Sequence, residues 1–191
     1  MKRVTILVMS LLVAACGRSA EPDYYTLAPV DGALGTAAFL IKVQRPSVPG
    51  YLDRPDIVRQ GDAYHVQIDE SQQWAQPFDV MIEGILAADL RQRLPKCTVM
   101  TESGAEIGDP RFLVQLDIQT FNTVSGDKVE LKGLLTIVDK TGALPMKSEP
   151  IDVTSEGGRS IDSLASGMSG LVGNLADEIV SQLDTAKAKK R

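Results

Sequence analysis

The side chains able to do covalent or acid–base chemistry are few: two cysteines, one histidine and 25 Asp and Glu residues in 191. Cys16 has the most informative surroundings. Lys2 and Arg3 form a short positive region, Val4 to Ala15 carries no charge, and Leu12-Val13-Ala14-Ala15 brings small residues up to the thiol, with Gly17 after it. The uncharged run is shorter than the ~20 residues a membrane-spanning helix needs, and its length and flanks suit a secretory signal peptide. Its end looks like a bacterial lipobox. Small side chains before the cut fit a peptidase groove, the thiol takes a diacylglycerol, and cleavage frees an amine on Cys16 that can be acylated too. Two or three acyl chains, at about 0.8 kcal/mol per buried CH2, hold a protein firmly on a bilayer. Residues 1–15 are therefore read as a lipoprotein signal peptide and Cys16 as the lipidation site. An ordinary secretory signal with a chance cysteine is the competing reading. Gly17 stands where Asp would signal retention at the inner membrane, which favours the periplasmic face of the outer membrane.

No catalytic constellation accompanies that cysteine. Cys97 is then a lone thiol that cannot form an internal disulfide, and its run Cys97-Thr98-Val99-Met100 suits a buried strand position. His65 alternates with apolar neighbours in Ala63-Tyr64-His65-Val66-Gln67-Ile68, the setting of a structural imidazole rather than a base. There is no Gly-x-Ser-x-Gly elbow and no Cys/His spacing for zinc. Gly167-x-x-Gly170-x-x-Gly173 lacks the Lys and hydroxyl residue of a phosphate loop. The acidic residues form no calcium loop. The reading is a non-enzyme with no catalytic residue, no metal and no cofactor beyond the lipid on Cys16.

Loss of residues 1–15 removes Lys2 and Arg3, leaving 176 residues and taking the formal charge from −5 to −7. That length suits one domain with a real core, and the negative charge argues against nucleic acid as a partner. The expected organisation is a lipidated cysteine and tether over 16–38, one domain over 39–185, and a basic tail over 186–191. The tail is either a solvated helix end or a contact with an anionic membrane.

Within the domain, Phe39–Val43 reads as a strand. Arg45–Arg59 carries Pro46, Pro49 and Pro55, so it reads as a stiff extended loop with a short edge strand at Ile57-Val58. Ala63–Ile68 follows as a strand. Phe78, Met81, Ile82, Ile85, Leu86 and Leu90 then give Trp74–Leu94 a helical period, ended by Pro95. A short strand at Cys97–Thr101 precedes a meander. Its first member, Arg111–Asn122, sets Phe112, Val114, Leu116 and Ile118 on one face. Val129–Val138 and Leu144–Thr154 complete it, with Gly142 in the second turn. Ser160 can cap a last helix reaching about Thr185, striped by Ile161, Ala165, Met168, Val172, Leu175, Ile179 and Leu183. Striped helices and alternating strands predict an α+β fold, with one mixed, mainly antiparallel sheet and two amphipathic helices packed on one face. Tyr24-Tyr25-Thr26-Leu27 interrupts the tether and either pairs as an edge strand or folds onto the domain.

Two surfaces are candidates for binding. The reverse of the last helix carries Gly167, Gly170 and Gly173 among serines, although each glycine costs roughly 0.8–1 kcal/mol against alanine in a helix. Close approach of another backbone, such as a second protomer, accounts for them. So does a weakly selected surface, or a helix that starts near Leu171. The second candidate is the proline-stiffened loop with Val48, Tyr51 and Leu52, which either presents an apolar knob or folds back to cap the sheet.

With the lipobox, Tyr24-Tyr25-Thr26-Leu27, the run Val48-Pro49-Gly50-Tyr51-Leu52-Asp53-Arg54-Pro55 and Trp74-Ala75-Gln76-Pro77 in order, the mature chain resembles the ABC-type transport auxiliary lipoproteins, the PqiC/YmbA-like proteins. The glycine-rich helix face lies outside that pattern. The resemblance implies an outer-membrane-anchored periplasmic accessory subunit of a transport system containing a mammalian-cell-entry (MCE) domain protein. Such systems move lipids or other apolar molecules between membranes. It makes Val48, Tyr51, Leu52, Arg54 and Trp74 candidates for partner contact, though Trp74 also suits packing at the helix start. The alternative is a structural outer-membrane lipoprotein that keeps the envelope intact without touching cargo.

Overall fold

The computed structural model describes residues 21–62, 64–105, 107–124, 127–143 and 145–188. Cys16, the segment before it read as a signal peptide, and the basic tail beyond Ala188 lie outside them. The elements run β1 (Asp23–Tyr25), β2 (Leu40–Val43), β3 (Asp56–Gln60), β4 (Val66–Trp74), α1 (Phe78–Arg93), β5 (Thr98–Thr101), β6 (Phe112–Val124), β7 (Lys128–Asp139), β8 (Lys147–Glu156) and α2 (Ile161–Ala188).

The fold is α+β, but the strands make two sheets rather than one. A five-stranded sheet has the order β5-β2-β6-β7-β8, and a three-stranded sheet the order β1-β4-β3. β2 runs parallel to both β5 and β6, while β6, β7 and β8 form the antiparallel meander. The sheets part where β3 meets β6. There the Gln60 amide donates to the Thr123 hydroxyl at 2.9 Å, so a side chain takes the place of a ladder bond. α1 packs on β2 and β5, α2 on β7 and β8, and the helices pack on each other.

The alternation in β6 buries Phe112, Val114, Leu116 and Ile118, all 5% exposed or less. It breaks at a bulge between Ile118 and Thr120, after which Phe121 faces the core. Opposite the bulge sits Gly133, where a β-carbon would collide with the carbonyl oxygen of Asp117. Gly133→Val should therefore push the two longest strands apart and cost about 1–3 kcal/mol, measured as a lower urea midpoint.

Two elements differ from expectation at their ends. β4 continues through the polar run Asp69–Gln73 because β1 and β3 hydrogen-bond it on both sides. Trp74 thus ends a strand, and the helix begins at Phe78 behind Pro77. His65 precedes β4 and is exposed in the β3–β4 turn. Its Nδ1 lies 2.9 Å from the Asp62 carboxylate, which also accepts the amides of Tyr64 and His65. Cys97 is half-buried just before β5, its sulfur accepting the Phe39 amide at 3.4 Å.

The stretch read as a tether is built into the domain from β1 onward. Residues 26–37 cross both helices as a strap held largely by backbone bonds. Ala28 donates to Ser169, Val30 to Asp89, and Gly35 to the Arg93 carbonyl. Thr36 donates to Asp184, while Leu27 and Ala37 are buried in the core.

Candidate docking surface

The loop between β2 and β3 is braced along its whole length. Ser47 pairs with Asp117 of β6, its amide donating to Leu116 and its carbonyl accepting from Ile118. Pro49 accepts the amides of Leu52 and Asp53, which closes a tight turn with Gly50 and Tyr51 outside. At the far end the Trp74 amide donates to the Pro55 carbonyl at 2.7 Å. Three prolines and these bonds leave the loop little conformational entropy to lose on binding.

The five partner-contact candidates separate in this frame. Leu52 is 5% exposed and Trp74 6%, and both belong to the hydrophobic core, with Val48 packed against it. Trp74 stacks on Phe78 at 5.4 Å, and Phe78 leans on Phe121 at 5.8 Å. Tyr51 is exposed on the loop, and partial burial of its ring raises its phenol above the ordinary value. Arg54 is part-exposed and grips Asp56 through Nε at 3.1 Å and Nη2 at 2.7 Å. That grip, with a bond from Gln73, holds the Asp56 carboxyl below its ordinary value. The loop therefore exposes an aromatic hydroxyl three positions before a paired guanidinium, with Leu52 and Trp74 held in the core. It can hydrogen-bond and bury apolar area. Among the described residues no group of His, Cys, Asp and Glu could hold a metal, and no helix is long and apolar enough to cross a membrane.

The glycine face of α2 meets this chain itself at two points. A β-carbon on Gly167 would stand 2.8 Å from the carbonyl oxygen of Glu156 in β8. One on Gly173 would stand 3.2 Å from Val30 of the strap, while Gly170 faces open space. The close approach these glycines allow is thus made by this chain itself, by β8 backbone at Gly167 and by the Val30 and Arg93 side chains at Gly173. A protomer contact, if formed here, would centre on Gly170.

One polar centre lay outside the sequence reading. Arg93 is 1% exposed, bonded to Asp177 at 2.6 Å, to the Val30 carbonyl at 2.7 Å and to Gly173 at 3.2 Å. Asp89, fully buried, sits 3.5 Å away and accepts the Val30 amide at 2.7 Å. Its sequence signal was a charged pair at i, i+4 in the stripe that Ile82, Leu86 and Leu90 define.

A family model described as "ABC-type transport auxiliary lipoprotein component" matches residues 25–180. The intermembrane transport lipoprotein PqiC of Escherichia coli (strain K12) is 27% identical over 138 residues, 70% of this chain and 72% of that protein. The PqiC of Shigella flexneri matches to the same extent. Among solved structures, an uncharacterized protein superposes with a TM-score of 0.70 at 18% identity, covering 86% of this chain and 99% of its own. A Xanthomonas campestris protein gives 0.64 at 14% identity, covering 88% and 99%. The family match spans most of the chain, from β1 into α2, and the chain belongs to the ABC-type transport auxiliary lipoprotein components.

Proposed function

We propose that this lipoprotein is held on the periplasmic face of the outer membrane through Cys16 and acts there as the docking subunit of an MCE-type ABC transport system for intermembrane lipid transport. It works by binding rather than catalysis. The observation that carries the reading is the braced loop, which holds Tyr51 at the surface with its neighbours locked into the core. A pre-organised aromatic and an arginine are the usual composition of an interface anchor. The name of the PqiC relatives, intermembrane transport lipoproteins, supports the class of process. ATP hydrolysis belongs to a partner in this scheme.

A photoreactive amino acid at position 51, introduced into the protein in its native host, tests the proposal. The expected adduct is with a protein carrying MCE domains, and that protein should co-purify from mildly solubilised membranes. Adducts only with unrelated envelope proteins, and no MCE protein in the eluate, would favour the structural lipoprotein instead.

A further inference from the structure

The turn and the outer arm of the β3–β4 hairpin are open to solvent: the described residues from Gly61 to Ser71 are all exposed, while Ile57 and Val58 of the β3 arm pack into the core. An exposed hairpin arm usually carries polar side chains on both faces, and this one does not. Tyr64 is 93% exposed, and Val66 and Ile68 are each 42% exposed. Val66 and Ile68 share one face of β4, with Gln67 and Asp69 on the other, and Tyr64 stands in the turn just before the strand. The tip is also fixed in shape. The Asp62 carboxylate accepts the amides of Tyr64 and His65 at 2.8 and 3.0 Å, and Gly61 donates to the His65 carbonyl at 2.9 Å. Tyr64 is therefore held outward by its own turn rather than left loose.

The chain's entry into the fold says which way that tip points. β1 runs parallel to β4, with Asp23 opposite Gln72 and Tyr25 opposite Trp74. The N-terminal end of β1 therefore faces the hairpin-tip end of β4. Cys16 lies seven positions before Asp23, and His65 seven before Gln72. Seven residues reach at most about 25 Å, and seven positions of β4 span about 23 Å. A lipid on Cys16 thus has no slack to sit far beyond the tip. Any path shorter than full extension draws the domain closer to the surface that holds the lipid.

From this we infer that the hairpin tip is a second membrane attachment: Tyr64, Val66 and Ile68 enter the interfacial layer of the bilayer that carries the Cys16 lipid. The inference rests on the lipid-anchor reading of Cys16. Tyrosine suits that layer because its ring is apolar and its hydroxyl stays hydrated. Glu70, next on the same face, sets the depth limit, since a carboxylate resists leaving water. The flanking Asp62 and Asp69 make a zwitterionic surface a better match than a strongly anionic one. With the lipid as one point and the tip as another, the domain is held at a defined tilt instead of pivoting on a single anchor.

The test uses the mature lipidated protein on phosphatidylethanolamine/phosphatidylglycerol vesicles whose acyl chains carry bromine. Native Trp74 is the single tryptophan and is 6% exposed, so wild-type protein gives a baseline that the bromines leave unquenched. Tyr64→Trp should add a blue-shifted emission, most of it lost to the bromines and shielded from aqueous iodide. Adding Ile68→Asp should return that emission to its water-exposed position while the protein still floats with the vesicles. If Tyr64→Trp floats but remains open to iodide and unquenched by bromine, the tip attachment is wrong and the anchor stands. A blue shift without bromine quenching marks burial against another protein copy and also overturns it. Failure to float removes the anchor reading, and the tip attachment with it.

Discussion

Arg93→Met is expected to cost the fold about 3–5 kcal/mol, because it removes one partner of a buried ion pair and leaves the other without compensation. Arg93 ties three parts of the chain together: Asp89 on its own helix, Asp177 and Gly173 on α2, and the Val30 carbonyl on the strap. One Asp89 carboxylate oxygen already has no hydrogen-bond partner. Without the cation, that carboxyl would keep only the Val30 amide. Urea denaturation followed by circular dichroism measures the loss. Its pH dependence identifies the cause. Burial pushes the Asp89 carboxyl above its ordinary value, against the pull of the Val30 amide and Arg93. Between the ordinary carboxylate value and that raised value, the folded protein holds a proton that the unfolded chain has released. Stability contributed by this group therefore falls as pH rises through the interval. Removing the cation widens the interval, so mild acid should return part of what Arg93→Met loses, and adding Asp89→Asn should abolish that return. A loss of stability that ignores pH would point to lost packing rather than a stranded charge. Asp139 works in the opposite sense. Burial alone would raise it, but Arg111 and Thr141 outweigh that and hold it below its ordinary value, so its contribution fades only in stronger acid.

The second large effect is expected at Cys16. Cys16→Ser removes the thiol that would carry the diacylglycerol and the residue before which the lipoprotein peptidase would cut. The expected result is an unprocessed precursor, absent from the outer-membrane fraction, that keeps its first fifteen residues and carries no lipid mass. Intact-mass analysis and membrane fractionation read both outcomes. An unmodified, freely soluble wild-type protein would remove the basis for the proposed function.

The contrast between these two residues shows how much the sequence reveals. Cys16 is a candidate that the motif of its neighbours marks in the sequence. Arg93 was hidden because a charge near a helix end suits solvent as well as a core, and its partners lie more than 60 positions away in the strap and about 80 away in α2. β6 and α2 were legible from periodicity, since each buries one face of a regular element. The strap was not. Its contacts are made by backbone amides and carbonyls, and Gly32 and Gly35 allow it to lie against Arg93, Val180 and Leu94. That composition reads as a linker when only side chains are considered. The division into two sheets was equally invisible, because alternation reports which face is buried and not which strand is the neighbour. At the proline-stiffened loop, residue type marked Tyr51, Leu52 and Trp74 alike, and only packing placed Tyr51 outside and the other two in the core.

The parallel pairing of β1 with β4 also has a mechanical consequence. A pull from the N-terminal side along the strand axis acts along β1, not across it, so its ladder bonds share the load in shear instead of opening one after another. Behind β1 the strap's bonds to both helices take up what the ladder passes on. A chain tugged from that side would thus resist unravelling from its N-terminal end.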